Sequence, residues 1–106
     1  AAGFTLVDLG DPRPASDLLR ARLEHTPPFA QRMRARIGAR YALALVGAGE
    51  VEHGCAEIRQ VLDWCANADS ATIRVDLLRL RRALNRWPSA APVRAVLPRL
   101  TALSAG

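Results

Sequence analysis

Apolar residues recur at three- and four-residue spacing along most of the chain. Cys55, Ile58, Leu62 and Cys65 follow it, as do Ile73, Leu77, Leu80, Leu84 and Trp87, and again Val93, Leu97, Leu100 and Leu103. That period marks one side of an α-helix, so each run predicts a helix with a single apolar stripe. The segment from Tyr41 to Gly49 is apolar nearly all round, which predicts a helix covered on several sides. Its small residues, Ala42, Ala44 and Ala48, and Gly54 beyond it, allow neighbouring helices to come close. No stretch alternates apolar and polar long enough to argue a strand. Breakers divide the pattern: Asp11 can cap a helix with Pro12 in its first turn, Thr26-Pro27 repeats that signal, and Gly47 and Gly49 end the next helix. Asp69 or Ser70 can cap the following one, Trp87-Pro88 ends it, and Ser89 can cap the last. The helices expected are 1–9, 12–25, 28–48, 51–66, 71–87 and 91–104.

The helices also repeat. Gly10-Asp11-Pro12, Gly49-Glu50-Val51 and Pro88-Ser89-Ala90 stand 39 residues apart, twice. After each turn the apolar positions agree: Ala15 and Leu19, then Gly54, Ile58 and Val61, then Val93, Leu97 and Leu100. Before each turn they agree again, as Gly3 and Leu6, then Tyr41, Ala42 and Leu45, then Leu77, Leu80 and Leu84. Each unit reads as a helix, a tight turn and a second helix, with boundaries near 1–27, 28–66 and 67–106 inside one domain. The first residue is not Met, and Ala1–Leu9 reads as the tail of a helix already under way. The chain is therefore expected to be a piece of a longer protein.

These residues resemble the tetratricopeptide (TPR) pattern. In the second unit Tyr41 and Ala42 stand as its large-then-small pair, Leu45 one turn on, Gly49 at the turn, and Gly54 at the small crossing position before Ile58 and Val61. The first unit matches through Gly3, Leu6, Gly10, Ala15, Leu19 and Pro27, and the third only through its large apolar slots. It departs at Arg81 and Val93, where the family has small residues, and the 39-residue period is longer than the family's. A degenerate last unit suits a capping repeat. More narrowly, Ala42–Val61 followed by an Arg/Leu-rich helix and a short last helix (Ala71–Leu103) resembles the C-terminal end of actinobacterial transcriptional regulators, where a helix-turn-helix precedes TPR-like repeats. The resemblance implies an all-α fold, antiparallel helical hairpins stacked as a short right-handed solenoid. It also implies a cytoplasmic, non-enzymatic module that senses a protein, a peptide or a small-molecule effector.

Composition narrows the chemistry. The chain has 106 residues and net charge +5, and its 15 cations are all arginine. Arginine's planar fork binds carboxylate and phosphate bidentately, so an acidic partner is compatible with this balance. The cysteines, Cys55 and Cys65, stand roughly 80° apart around a helix and ~15 Å apart along it, too far for a disulfide, and read as small core residues in a reducing compartment. No run of apolar residues reaches membrane-spanning length, about 18, so no membrane association is expected. His25 is expected at a helix end, and His53 in a first turn with only Glu57 at ligand spacing. Cys55 and His53, two residues apart, do not face each other on a helix. Gly47-Ala48-Gly49 lacks the Lys-Ser/Thr of a phosphate loop. No catalytic residue, metal site or cofactor is expected.

The arginines carry the candidate site. Arg32, Arg36 and Arg40 recur every four residues, and Arg79, Arg82 and Arg86 at three and four. In TPR stacks the first helices of the units line a concave groove. The resemblance, carried over position by position, puts Arg36, Arg40, Leu43, Arg79, Arg82, Asn85 and Arg86 in that groove. The plainer alternative is a solvated helix face partly neutralised by Asp76 and others. Nucleic acid is the rival partner. It is disfavoured because no polar recognition helix is present and the few aromatics occupy apolar-face positions. A third reading is a homodimer, since a truncated stack leaves ends uncovered, here Phe4 to Leu9 and Val96 to Leu103.

Overall fold

A computed structural model describes residues 12–65 and 71–105. It contains five helices: α1 (Pro12–Glu24), α2 (Gln31–Gly47), α3 (Val51–Cys65), α4 (Ala71–Leu84) and α5 (Ala91–Ala105), with no strand among the described residues. The expected helix 1–9 and the caps Asp11, Asp69 and Ser70 lie outside them.

The turns follow two designs. α2 ends in a Schellman closure. The Gly49 N–H donates to the Val46 carbonyl and the Glu50 N–H to the Leu45 carbonyl. Gly49 takes φ +86°, a conformation in which a side chain is strained. The α1–α2 and α4–α5 connections share a different geometry. Ala30 N–H donates to the Pro27 carbonyl and Arg34 N–H to the Ala30 carbonyl, and Ala90 and Arg94 repeat both bonds onto Trp87 and Ala90. The 39-residue alignment pairs Gly49 with Pro88, but in local geometry the Pro88 turn is the twin of the Pro28 turn. Thr26 also corrects its expected role. α2 begins only at Gln31, after an Ala30 N-cap that has no side-chain bond, and the Thr26 hydroxyl donates back to the Arg22 carbonyl of α1. Similarly, α5 starts after Ala90, one residue beyond the expected Ser89 cap.

α2 is covered on two faces, as its nearly all-round apolarity requires. On one face Ile37, Tyr41, Ala44 and Leu45 pack with Leu19 and Leu23 of α1. On the other, Ala35, Ala39, Ala42 and Val46 join a core built with α3 (Cys55, Ile58, Val61, Leu62 and Cys65), α4 (Ile73, Leu77, Leu80 and Leu84) and α5 (Val93, Val96 and Leu100). The substantial helix contacts are α1 with α2, α2 with α3, α2 with α4, α3 with α5, and α4 with α5. Hairpin α2/α3 therefore lies against hairpin α4/α5, first helix on first helix and second on second. The two hairpins close a four-membered ring around one core, and α1 leans on its outside.

Small residues set the closest approach. A Cβ on Gly54 would come within 2.6 Å of Val46 Cγ2, and one on Gly38 within 2.9 Å of Val61 Cγ2 and 3.0 Å of Trp64 Cζ3. The α5 stripe departs from expectation: Val96 is buried where Leu97 was expected, and Leu103 is 37% exposed. Val96 and Leu100 serve the core, so Val96–Leu103 offers less surface to a second copy than the sequence suggests. Phe4–Leu9 lies outside the described residues. Among the described residues no helix is long and apolar enough to cross a membrane.

Candidate functional site

The seam between α2 and α4 holds the charged feature of this fold. Asp76 lies three residues after Ile73 and four before Leu80, at the edge of the α4 core stripe. The α2–α4 packing buries it to 5% exposure. Its Oδ1 is 4.0 Å from Arg40 Nε, and its buried Oδ2 has no hydrogen-bond partner among the described residues. Burial pushes its carboxyl above the ordinary carboxylate value, against the opposing pull of Arg40, Arg79 and Arg36, in that order. Arg40 of α2 is thus in ion-pair range of one buried acid, and Arg79 of α4 and Arg36 of α2 also act on it electrostatically. Four-residue spacing puts Arg36 and Arg40 on one face of α2, and Arg79 one turn after Val75 borders the same seam from α4.

The other expected groove residues are distributed differently. Leu43 is half-buried and packs against the bundle core rather than standing free in a groove. Arg82 is exposed on α4. Asn85 and Arg86 were expected on the helix, but α4 ends at Leu84 and both sit in the turn that follows. The cause is Pro88, which disfavours helical backbone at Trp87. The turn closes early, with the Trp87 N–H donating to the Leu84 carbonyl. Arg86 then stacks 5.2 Å above the Trp87 ring. The structure sets Arg40 against Asp76, with Arg36 and Arg79 acting on that acid electrostatically, and it leaves Arg82, Asn85 and Arg86 toward the far end of α4.

Sequence reading gave Asp76 only a neutralising role, and it missed the apolar groups beside the arginines. Phe29 is 87% exposed, Met33 57% and Val75 52%. Phe29 in particular does not occupy an apolar face. Met33 lies three residues before Arg36 and seven before Arg40, and Val75 four before Arg79, so each shares a helix face with the arginines. The available signal was spacing: neither Met33 nor Val75 fits the buried stripe of its helix.

Other polar groups are placed as follows. Nε2 of His53 is 3.3 Å from the Tyr41 hydroxyl and 3.9 Å from Glu57 Oε1, and the Tyr41 and His53 rings meet edge to face. His53 borders an open pocket of about 570 Å³, with Gly49, Glu50, Val51, Glu52 and Ala56. His25 Nδ1–H donates 2.7 Å to the Ala21 carbonyl at the end of α1. Among the described residues no group of His, Cys, Asp or Glu is placed to hold a metal. Cys55 and Cys65 are free and buried, and burial raises both thiols, which disfavours the nucleophilic thiolate. Arg34 lies 4.9 Å above the Trp64 ring and donates to the Thr26 carbonyl. Arg81, where the TPR pattern has a small residue, ties α4 to α5 by donating to Ser104 Oγ.

The described residues form an all-helical fold in which exposed arginines border a packed seam between neighbouring hairpins that buries an acid. No protein-family profile, no curated protein and no solved structure matches the chain.

Proposed function

We propose that this domain is a non-enzymatic, TPR-like binding module whose α2–α4 seam takes an acidic peptide segment of another protein. The observation that carries the reading is the buried Asp76 in ion-pair range of Arg40, with Arg79 and Arg36 also acting on it electrostatically. Three cations acting on one acid leave a surplus of positive charge, and bidentate carboxylate pairing is what arginine does best. The exposed Met33 and Val75, on helix faces shared with the arginines, favour a peptide with apolar side chains over a free anion. They also disfavour nucleic acid, whose phosphates gain nothing from Met or Val. The pairing of first helix with first helix and second with second supports the stacked-hairpin, TPR-like reading. The resemblance to the sensing end of bacterial transcriptional regulators gives this module its biological setting, partner recognition coupled to an attached DNA-binding part.

The test is fluorescence anisotropy with a labelled peptide of alternating glutamate and leucine pairs. The double variant Arg36→Gln/Arg79→Gln removes charge at exposed positions. It is expected to weaken binding at least about tenfold while leaving helicity and melting temperature nearly unchanged, since removing a charge-assisted bond costs about 1.5–3 kcal/mol. Undiminished binding by the variant rules out the seam.

A further inference from the structure

We propose that the α1–α2 turn is a membrane-contact tip: Phe29 and Met33 enter the headgroup boundary of an anionic lipid surface, and the arginines beside them pair with the lipid headgroups. This goes beyond the acid-binding reading of the seam and does not depend on it.

Phe29 belongs to neither apolar cluster and is 87% exposed. The fold supplies its own comparison. The Ala30 and Arg34 N–H groups donate to the Pro27 and Ala30 carbonyls, and Ala90 and Arg94 donate in the same way to Trp87 and Ala90. The two turns therefore correspond residue for residue, Pro28 with Pro88. At the place of Phe29 the second turn has Ser89, also exposed, so the turn itself does not require an aromatic side chain there. Met33, in the first turn of α2, adds a second apolar side chain, 57% exposed. The tip is also braced. Pro27 and Pro28 fix their own backbone angles, and Arg34 donates to the Thr26 carbonyl while it lies over the Trp64 ring. A side chain carried on a braced turn loses little freedom on docking. The charges beside the tip choose its partner. Arg22 in the last turn of α1 and Arg32 and Arg36 of α2 are exposed, against the exposed acid Glu24, and α2 itself contains no acid. A free phosphate or a nucleic acid would use these arginines and leave Phe29 in water. An apolar pocket on a protein would use Phe29 and leave the arginines idle. An anionic bilayer surface takes both, since Phe and Met enter the acyl boundary while guanidinium forks hold headgroup oxygens. Contact at that depth needs no spanning helix, and none is present among the described residues. The length criterion that argued against membranes excludes spanning, not surface contact.

The experiment is co-sedimentation of the whole chain with vesicles of phosphatidylcholine alone, or of phosphatidylcholine and phosphatidylserine in a two-to-one ratio, at low salt. Wild type is expected to bind the mixed vesicles at least about tenfold more tightly than the neutral ones, since each arginine near an anionic surface is worth about fivefold. High salt is expected to remove most of that preference. Phe29→Ser puts in the residue type that the corresponding turn already carries. It is expected to keep the helicity and melting temperature of wild type and to bind the mixed vesicles about tenfold more weakly, as loss of a partly buried phenyl group implies. Arg32→Gln is expected to lose about fivefold. Leu103→Ser, which removes an exposed apolar group from α5, is expected to bind as wild type does. Absence of binding to the mixed vesicles, equal binding to the two kinds of vesicle, undiminished binding by Phe29→Ser, or an equal loss in Leu103→Ser overturns the tip. None of these outcomes bears on the seam, which the peptide and Arg36→Gln/Arg79→Gln test separately.

Discussion

At the residue scale, glycine does two different things in this fold, and the sequence marks both with the same letter. At Gly49 the requirement is backbone. Its φ is +86°, and a Cβ would meet nothing within 4 Å. Alanine there is expected to cost about 1–2 kcal/mol through conformation alone. At Gly54 the backbone is ordinary helix, but a Cβ would lie 2.6 Å from Val46 Cγ2 and 3.4 Å from the Ala42 carbonyl. Alanine there separates α2 from α3 and is expected to cost about 1–3 kcal/mol by overpacking. The two mechanisms part in a second-site experiment. Val46→Ala makes room beside Gly54 and should recover part of the Gly54→Ala loss measured by guanidinium melts, but none of the Gly49→Ala loss. Equal recovery at both positions contradicts this division. Asp76 was harder to read than either glycine. Its spacing from Ile73 and Leu80 put it at the stripe's edge, where a residue is either buried or wet according to the neighbour that arrives. That neighbour, α2, stands about forty residues earlier in the chain.

At the element scale, periodicity located the helices well. α3 was expected over 51–66 and runs Val51–Cys65, and α5 was expected over 91–104 and runs Ala91–Ala105. Local rules failed where proline and capping compete. Thr26-Pro27 read as the start of α2, yet the Thr26 hydroxyl serves the α1 carbonyls and the helix waits for Gln31. A hydroxyl before a proline can turn either way, and only the finished turn decides. The helices also differ in how firmly they are held. The core around α3 draws on four helices, whereas among the described residues the apolar packing of α1 is on α2, through Leu19 and Leu23 against Ile37, Tyr41, Ala44 and Leu45. α1 is therefore expected to open separately. Native-state hydrogen exchange should give its amides opening free energies about 1–3 kcal/mol below those of α3. Equal protection of α1 and α3 would mean that α1 belongs to the same cooperative unit as the ring.

At the scale of the whole molecule, the all-helical class was legible because every apolar run kept a helical period. The mutual arrangement of the hairpins was not, because stripes alone do not say which stripe meets which. The repeated unit suggested stacked hairpins, but it could not show that two hairpins close around one core, or that closure buries a charge in the α2–α4 seam. That buried charge makes a bulk property testable. In the folded state the Asp76 carboxyl is raised by burial, which outweighs Arg40, Arg79 and Arg36, and Glu57 is raised by burial against the opposing effect of His53. A group raised on folding binds its proton more readily in the native than in the unfolded state. Between the unfolded and folded values, stability therefore falls as pH rises, and above the folded value the cost is present in full. Below the ordinary aspartate value of 3.8 the cost disappears. Asp76→Asn cannot ionise and escapes it. Relative to wild type, the variant should gain on the order of 1 kcal/mol between pH 4 and pH 7, comparable to the cost of an unmade buried acceptor. Denaturant unfolding of both proteins at the two pH values reads the gap directly. A gap that narrows or reverses on going to pH 7 would mean that attraction to the three arginines outweighs burial, and that Asp76 holds the hairpins together rather than straining the seam between them.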